Sequence, residues 1–390
     1  MNWSDFRALD YSGIPSPVHV IDEVQLRHNL SIIKELQDQT GVHILIALKA
    51  FAQYSVFSQI RPYVLGATAS SLNEAKLAHE YMGGELHLCA PAWPPEDFSE
   101  LLEIADHIVF NSVRQLRQFE GQVRQSGRHV SMGLRINPEH SEGATAIYDP
   151  CAPNSRLGVR MVDLEQAEKE GWLPSIDGLH FHTLCEQMCP PLERTLETVE
   201  HNFMNWLERV QWINFGGGHL LTAPAYERQK LIDLLLDFRE RHPHLKVYME
   251  PGEAFVIQTG VLKARVLDIV SADTPVAVLD VSAAAHMPDV LEMPYRPAVL
   301  DAADPGEKPH TYRLAGLTCL AGDVIGDYSF DRELEINESI FLLDMSHYTM
   351  VKNTNFNGVR TPAIAVANLE RKSIQLIKSF NYADYKSRLS

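Results

Sequence analysis

The sequence predicts an α/β chain built as a (β/α)8 TIM-like barrel followed by a mostly antiparallel β domain. Three observations predict it. Short apolar runs alternate with helix-like stretches through the first two-thirds of the chain, these runs number eight, and beyond Gly252 the pattern changes to closely set β-rich segments divided by turn residues. Alternation of strand and helix marks a parallel sheet covered by helices, and eight such units in succession close a barrel.

The segment PVHVID precedes a helix that Asp22 caps and that runs to about Gln39, so it forms a strand outside the barrel. Candidate barrel strands follow at 43–48 (HILIAL), 64–69, 85–89, 107–110, 129–136, 176–182, 211–215 and 246–250. Each is short and apolar enough to be buried on both faces. Between them, Ser71 with Glu74 and Ser112 with Gln115 have capping-box spacing, and Pro94 and Pro95 open the acidic helix-like segment PPEDFSELLEIAD. The later segments VLKARVLDIV, PVAVLDV, TYRLAGLTC, SIFLLDM, IAVANL and SIQLIKSF predict a sheet, which the N-terminal strand joins. The expected division is a barrel over 23–255 and a β domain made of 1–22 with 256–390.

Composition narrows the function. With 34 basic against 51 acidic side chains the formal charge is −17, which disfavours nucleic acid and anionic membranes and mildly favours a cationic small molecule. No apolar run approaches the ~18 residues needed to cross a bilayer. The five cysteines, an odd number behind an N-terminus with no signal-like pattern, point to free thiols and a cytoplasmic location.

Barrel enzymes gather their chemistry at the C-terminal ends of the strands, and four unusual features fall there. Lys49 closes the first strand (HILIALKAF). Alone it reads either as a lysine snorkelling from a strand end or as a Schiff-base lysine whose amine pKa desolvation lowers. His180 and His182 alternate in GLHFHT. An H-x-H pair can bind metal, but no carboxylate or third histidine at suitable spacing completes a site, so His182 fits ring stacking better and no metal is expected. Gly216, Gly217 and Gly218 follow the seventh strand, where a flexible turn or an anion cradle of backbone N–H groups would both use glycine. Glu250 ends the eighth strand in MEPGEAF, beside a rigid Pro-Gly turn.

Together with NSRLGV at 154–159, GLHFHTLCEQ at 178–187, NFGGGH at 214–219, AHMPDVLEMPY at 285–295, GLTCLAGDVIG at 316–326 and MSHYTMVKNTNFNG at 345–358, these residues carry a resemblance over nearly the whole chain. The sequence resembles the alanine-racemase-like (fold type III) pyridoxal-phosphate enzymes, and most closely the carboxynorspermidine and carboxyspermidine decarboxylases of polyamine biosynthesis. The resemblance implies that Lys49 carries pyridoxal 5′-phosphate covalently, that His182 stacks on its ring, and that Gly216, Gly217, Gly218 and Tyr348 hold its phosphate. It implies that Glu250 pairs with the pyridine nitrogen, keeping the ring a strong electron sink. Cys319 would come from the β domain of a second subunit and protonate Cα, so a homodimer with shared active sites is expected. Arg156 would organise the site near the ring, although a surface ion pair explains it equally.

Departures from the wider family point to the substrate. Ornithine- and diaminopimelate-type decarboxylases have an arginine after EPG, where this chain has Glu253. The resemblance makes Glu253 and Asp289 substrate-binding acids for a carboxylated polyamine, and Asp323 matches an acid that serves substrate amines in related decarboxylases. Leu320 stands where the ornithine-type motif has aspartate, which argues against ornithine. Rival readings are another amino-acid decarboxylase of the fold, of the diaminopimelate or ornithine/lysine type, and a non-catalytic regulator built on it. The presence of both Lys49 and Cys319 disfavours the regulator.

Overall fold

The computed structural model describes residues 1–143 and 146–390. The chain divides into two compact units, one of Asn29–Phe255 and one of Met1–His28 with Val256–Ser390.

The first unit is a closed barrel. Its strands are β2 (His43–Ala47), β3 (Gly66–Ala69), β4 (Glu85–Cys89), β5 (His107–Phe110), β6 (Ser131–Asn137), β8 (Gly178–His180), β9 (Trp212–Asn214) and β10 (Lys246–Met249). They pair in parallel in that order, and β10 returns to β2 to close the ring. All eight predicted runs are therefore barrel strands. A short β7 (Val159–Arg160), which the sequence reading did not mark, pairs beside the end of β6.

Local signals start the helices where expected. Asp22 accepts the Gln25 N–H (2.9 Å) ahead of the helix Glu23–Thr40. Ser71 and Ser112 accept the N–H groups of Glu74 and Gln115, each at 3.2 Å. The return bonds come from one residue earlier than an ideal box, with the Ser70 and Asn111 N–H groups donating to Glu74 and Gln115. Inside the barrel, Trp212 is buried and donates Nε1–H to Ser131 Oγ (2.9 Å). A Cβ on Gly133 or Gly178 would lie 2.3 or 2.0 Å from the Trp212 ring, so these strands carry glycine because the indole fills the space.

The second unit is an eight-stranded sheet ordered β14-β13-β12-β11-β1-β16-β17, with β15 also on β11. Its strands are β1 (Val18–Asp22), β11 (Gly260–Val270), β12 (Val276–Leu279), β13 (His310–Ala315), β14 (Val324–Phe330), β15 (Ser339–Leu343), β16 (Ala363–Asn368) and β17 (Ser373–Lys378). The N-terminal strand β1 sits inside this sheet, antiparallel to β11 and parallel to β16. β12 and β13 are also parallel; the remaining pairs are antiparallel. β14 (VIGDYSF) escaped the sequence reading because Gly326 and Asp327 interrupt its apolar run. All five cysteines are free thiols, and no helix among the described residues is long and apolar enough to cross a membrane.

Candidate active site

Lys49, His182, the triple glycine and Glu250 all follow directly from the C-terminal ends of barrel strands: β2, β8, β9 and β10. Lys49 is open to the barrel mouth on one side, but its amine lies among enough protein to be desolvated. Burial, and after it the neighbouring Arg135 guanidinium, lower its pKa. Its Nζ lies 3.3 Å from His182 Nε2. The Gly217 N–H donates to His182 Nδ1 at 2.8 Å, which leaves the ring proton on Nε2. Burial holds the His182 pKa well below its ordinary value, so the ring is neutral. An Nε2–H aimed at Lys49 requires an amine that accepts, and the geometry therefore favours the uncharged, nucleophilic form of Lys49.

Glu250 is buried, yet both of its oxygens are engaged. Asn214 Nδ2 donates to Oε1 (2.7 Å), and His180 Nε2 lies 3.3 Å from Oε2. Burial alone would raise its pKa; the interaction with His180 outweighs this and holds it at about 2. Burial keeps the His180 pKa low against the pull of Glu250, so a neutral imidazole donates to an ionised carboxylate. His180 Nδ1 is buried and has no protein partner. The H-x-H pair thus divides its work, His180 orienting the acid and His182 facing the amine.

The triple glycine is required first by space. A Cβ on Gly216 would lie 2.5 Å from the Phe181 carbonyl, on Gly217 2.2 Å from the Glu250 carbonyl, and on Gly218 2.1 Å from the Leu184 carbonyl. Gly216 and Gly218 also have positive φ. The Gly216 N–H donates to Asn214 Oδ1 (2.9 Å) and that of Gly217 to His182, so two of the three amides hold neighbouring site residues in place.

Two barrel residues escaped the sequence reading. Arg135, on β6, is buried, donates to the His182 carbonyl (3.2 Å) and helps to lower the Lys49 pKa. The signal was an arginine set between Leu134 and Ile136 in a strand buried at every position. Cys89 neighbours Lys49 as well, and burial pushes its thiol up to about 11, which removes it as a rival nucleophile. Arg156 is exposed, and its carbonyl accepts from Asn111 Nδ2 (2.7 Å). Glu253 is half-buried on the single turn Glu253–Phe255 that follows β10.

The remaining predicted residues belong to the sheet unit. Cys319 is exposed on the loop between β13 and β14, with its N–H bound to Asn357 Oδ1 (2.9 Å). Asp323 is buried beneath that loop, where it accepts from the Thr318 N–H (3.1 Å), Thr318 Oγ1 (2.6 Å) and the Ala284 N–H (3.3 Å). Its carboxylate anchors the Cys319 loop. Asp289 opens the short helix Asp289–Glu292. Tyr348 lies on the segment after β15 with φ of 46°, a left-handed conformation uncommon for an aromatic residue.

A parallel barrel with a lysine amine, an imidazole and an ionised carboxylate at its mouth, joined to a separate sheet unit, defines a pyridoxal-type enzyme. The chain belongs to the pyridoxal-dependent decarboxylases: residues 18–346 match the family described as pyridoxal-dependent decarboxylase, C-terminal sheet domain, and it is accordingly a carboxy-lyase. It is 44% identical to the carboxyaminopropylagmatine decarboxylase of Synechocystis sp., over 97% of this chain and 96% of that protein. It is 40% identical to the carboxynorspermidine/carboxyspermidine decarboxylase of Campylobacter jejuni, over 97% of this chain and 99% of that one. The crystal structure of carboxynorspermidine decarboxylase from Campylobacter jejuni, complexed with norspermidine, superposes with a TM-score of 0.87 at 39% identity, covering 96% of this chain and all of that one.

Proposed function

We propose that the protein removes the α-carboxylate of carboxynorspermidine or carboxyspermidine, giving norspermidine or spermidine, with pyridoxal 5′-phosphate as cofactor. The observation that carries the reading is the Lys49 amine held against neutral His182 at the mouth of a barrel that also presents ionised Glu250. Those groups fit the cofactor: an uncharged amine for its aldehyde, an imidazole ring beside that amine, a carboxylate for its pyridine nitrogen, and a tight glycine turn beside them. Bound there, the cofactor supplies the sink for the electron pair left when carbon dioxide departs. Lys49 would hold it, His182 would lie against its ring, and Arg135 and Arg156 would lend positive charge nearby. Of the expected phosphate cradle, Gly218 and Tyr348 would take the phosphate, while Gly216 and Gly217, whose amides are bound to Asn214 and His182, would shape the turn instead.

Cys319 would deliver a proton from Sγ to Cα. Its exposure at a loop tip, held from below by Asp323 and from the side by Asn357, suits a thiol presented to a second copy of the chain, and we place the working unit as a homodimer. Glu253 and Asp289 would pair with the amines of the substrate tail. Since Asp323 spends its carboxylate on the Cys319 loop, we assign it to positioning that loop.

A second reading has support of its own: the Synechocystis relative is a carboxyaminopropylagmatine decarboxylase, whose substrate ends in a guanidine rather than an amine. Carbon dioxide release by the purified holoenzyme decides, with carboxynorspermidine, carboxyspermidine, carboxyaminopropylagmatine, ornithine, lysine and diaminopimelate offered in parallel. Preference for the first two supports the proposal, and preference for any of the others overturns its substrate. Mixing Lys49→Ala with Cys319→Ala chains tests the shared site, because random reassortment restores one intact site in the half of dimers that are mixed. Recovery of about a quarter of wild-type activity is expected, and no recovery refutes sharing.

A further inference from the structure

Lys352 lies four residues beyond Tyr348 and ties two parts of the sheet unit together. Its N–H donates to the Tyr348 carbonyl (3.0 Å), and Thr354 N–H donates to the Ala285 carbonyl (2.8 Å), so this turn is fastened to the segment that leads into the helix Asp289–Glu292. The Lys352 ammonium then pairs with both carboxylates of that helix, with Asp289 and with Glu292 at 2.6 Å. Asp289 and Glu292 are three residues apart and so share one helix face. The cluster holds two negative charges and one positive.

We propose that Lys352 sets the affinity of the site for cationic tails, as a built-in competitor for the carboxylates that the terminal cation of the substrate tail must reach. This rests on the reading of Asp289 as a tail residue. With Lys352 present the acid pair keeps a net charge of −1, and a tail bringing one cation completes its neutralisation. An uncharged tail gains nothing there. Lys352 thus weakens binding of every cationic tail while keeping the acids from standing unpaired in the free enzyme.

The proposal makes a prediction opposite in sign to that of a structural ion pair. In the holoenzyme acting on carboxynorspermidine, Lys352→Met should lower KM about five- to tenfold at low salt by deepening the negative potential, without a matching fall in kcat. The gain should shrink at 0.5 M salt, since the cluster is partly exposed. Lys352→Gln keeps a hydrogen-bond donor for the acids without the charge, and should lower KM likewise even if Lys352→Met folds poorly. Lys352→Arg should keep the wild-type value. Asp289→Asn separates the two levels of the argument: it should raise KM at least about tenfold. If it does so while Lys352→Gln leaves KM unchanged or raises it, the competitor role is overturned and the tail reading stands. If Asp289→Asn leaves KM unchanged, the tail reading itself fails and takes the Lys352 proposal with it.

Discussion

At the N-terminal end of the barrel, Glu85, His107 and Lys246 begin β4, β5 and β10; at the C-terminal end, Lys49, His182 and Glu250 stand just past β2, β8 and β10. Both ends contain a lysine, a glutamate and histidines. At the N-terminal end they gather on the acid: Glu85 takes Lys246 Nζ at 3.0 Å, the Tyr248 hydroxyl at 3.1 Å and His87 Nε2 at 3.2 Å, while the Nδ1 atoms of His87 and His107 are buried without a partner. The His87 and His107 rings stack 3.9 Å apart and 11° from parallel beneath Trp212 and Tyr248. Both rings turn Nε2 toward the same acid oxygen, His87 at 3.2 Å and His107 at 3.8 Å from Glu85 Oε2, so the carboxylate gathers the stacked pair around itself. At the other end the lysine faces a neutral imidazole instead of a carboxylate, and its amine is pushed toward the reactive form. Partner choice, rather than residue type, separates a structural end from a reactive one.

The comparison breaks most sharply at the two lysines. Lys49→Ala should abolish turnover, by at least about a thousandfold, and remove the absorbance band of the covalently held cofactor; Lys246→Met should leave turnover per folded molecule within about twofold. A normal band in purified Lys49→Ala would sink the assignment. Next in size, Glu250→Gln should reduce kcat roughly a hundredfold or more, because the amide keeps the shape but not the charge. Its counterpart Glu85→Gln should spare kcat and instead cost roughly 1.5–3 kcal/mol of stability in chemical denaturation, the worth of hydrogen bonds to a charged group. Equal kinetic losses in the two variants would remove the distinction.

The smallest effect is one of pH. Burial depresses the His107 pKa from 6.5 to about 3. Between those values the unfolded chain binds the proton and the folded one resists it, so the contribution to stability is complete above pH 6.5 and declines as pH falls toward 3. Replacing His107 by Phe should flatten this acid limb in thermal melts; an unchanged limb would show that other buried histidines carry it.

Much of this was legible in the sequence, for physical reasons. Parallel strands buried on both faces must be short apolar runs, and all eight are visible. Lys49, Gly216 to Gly218 and Glu250 stand out because they interrupt such runs at their ends. What remained hidden depends on neighbours distant in sequence. Arg135 reads as one charge in LRIN until β8 sets the His182 carbonyl beside it. Asp323 and Thr318 show their mutual engagement only once the β13–β14 hairpin folds back. The glycines illustrate both sides: their number announces a special turn, but that Gly217 fixes the tautomer of His182 follows only from three dimensions.

The indole of Trp212 also constrains how this barrel can change over generations. It occupies the space that a Cβ on Gly133 or Gly178 would need, so neither glycine can acquire a side chain while the tryptophan stays. Position 212 must shrink first, and that intermediate carries a cavity in the barrel core before either strand can fill it. Sequence drift at these three positions is therefore ordered and coupled, and a lineage that has crossed that step cannot easily reverse it.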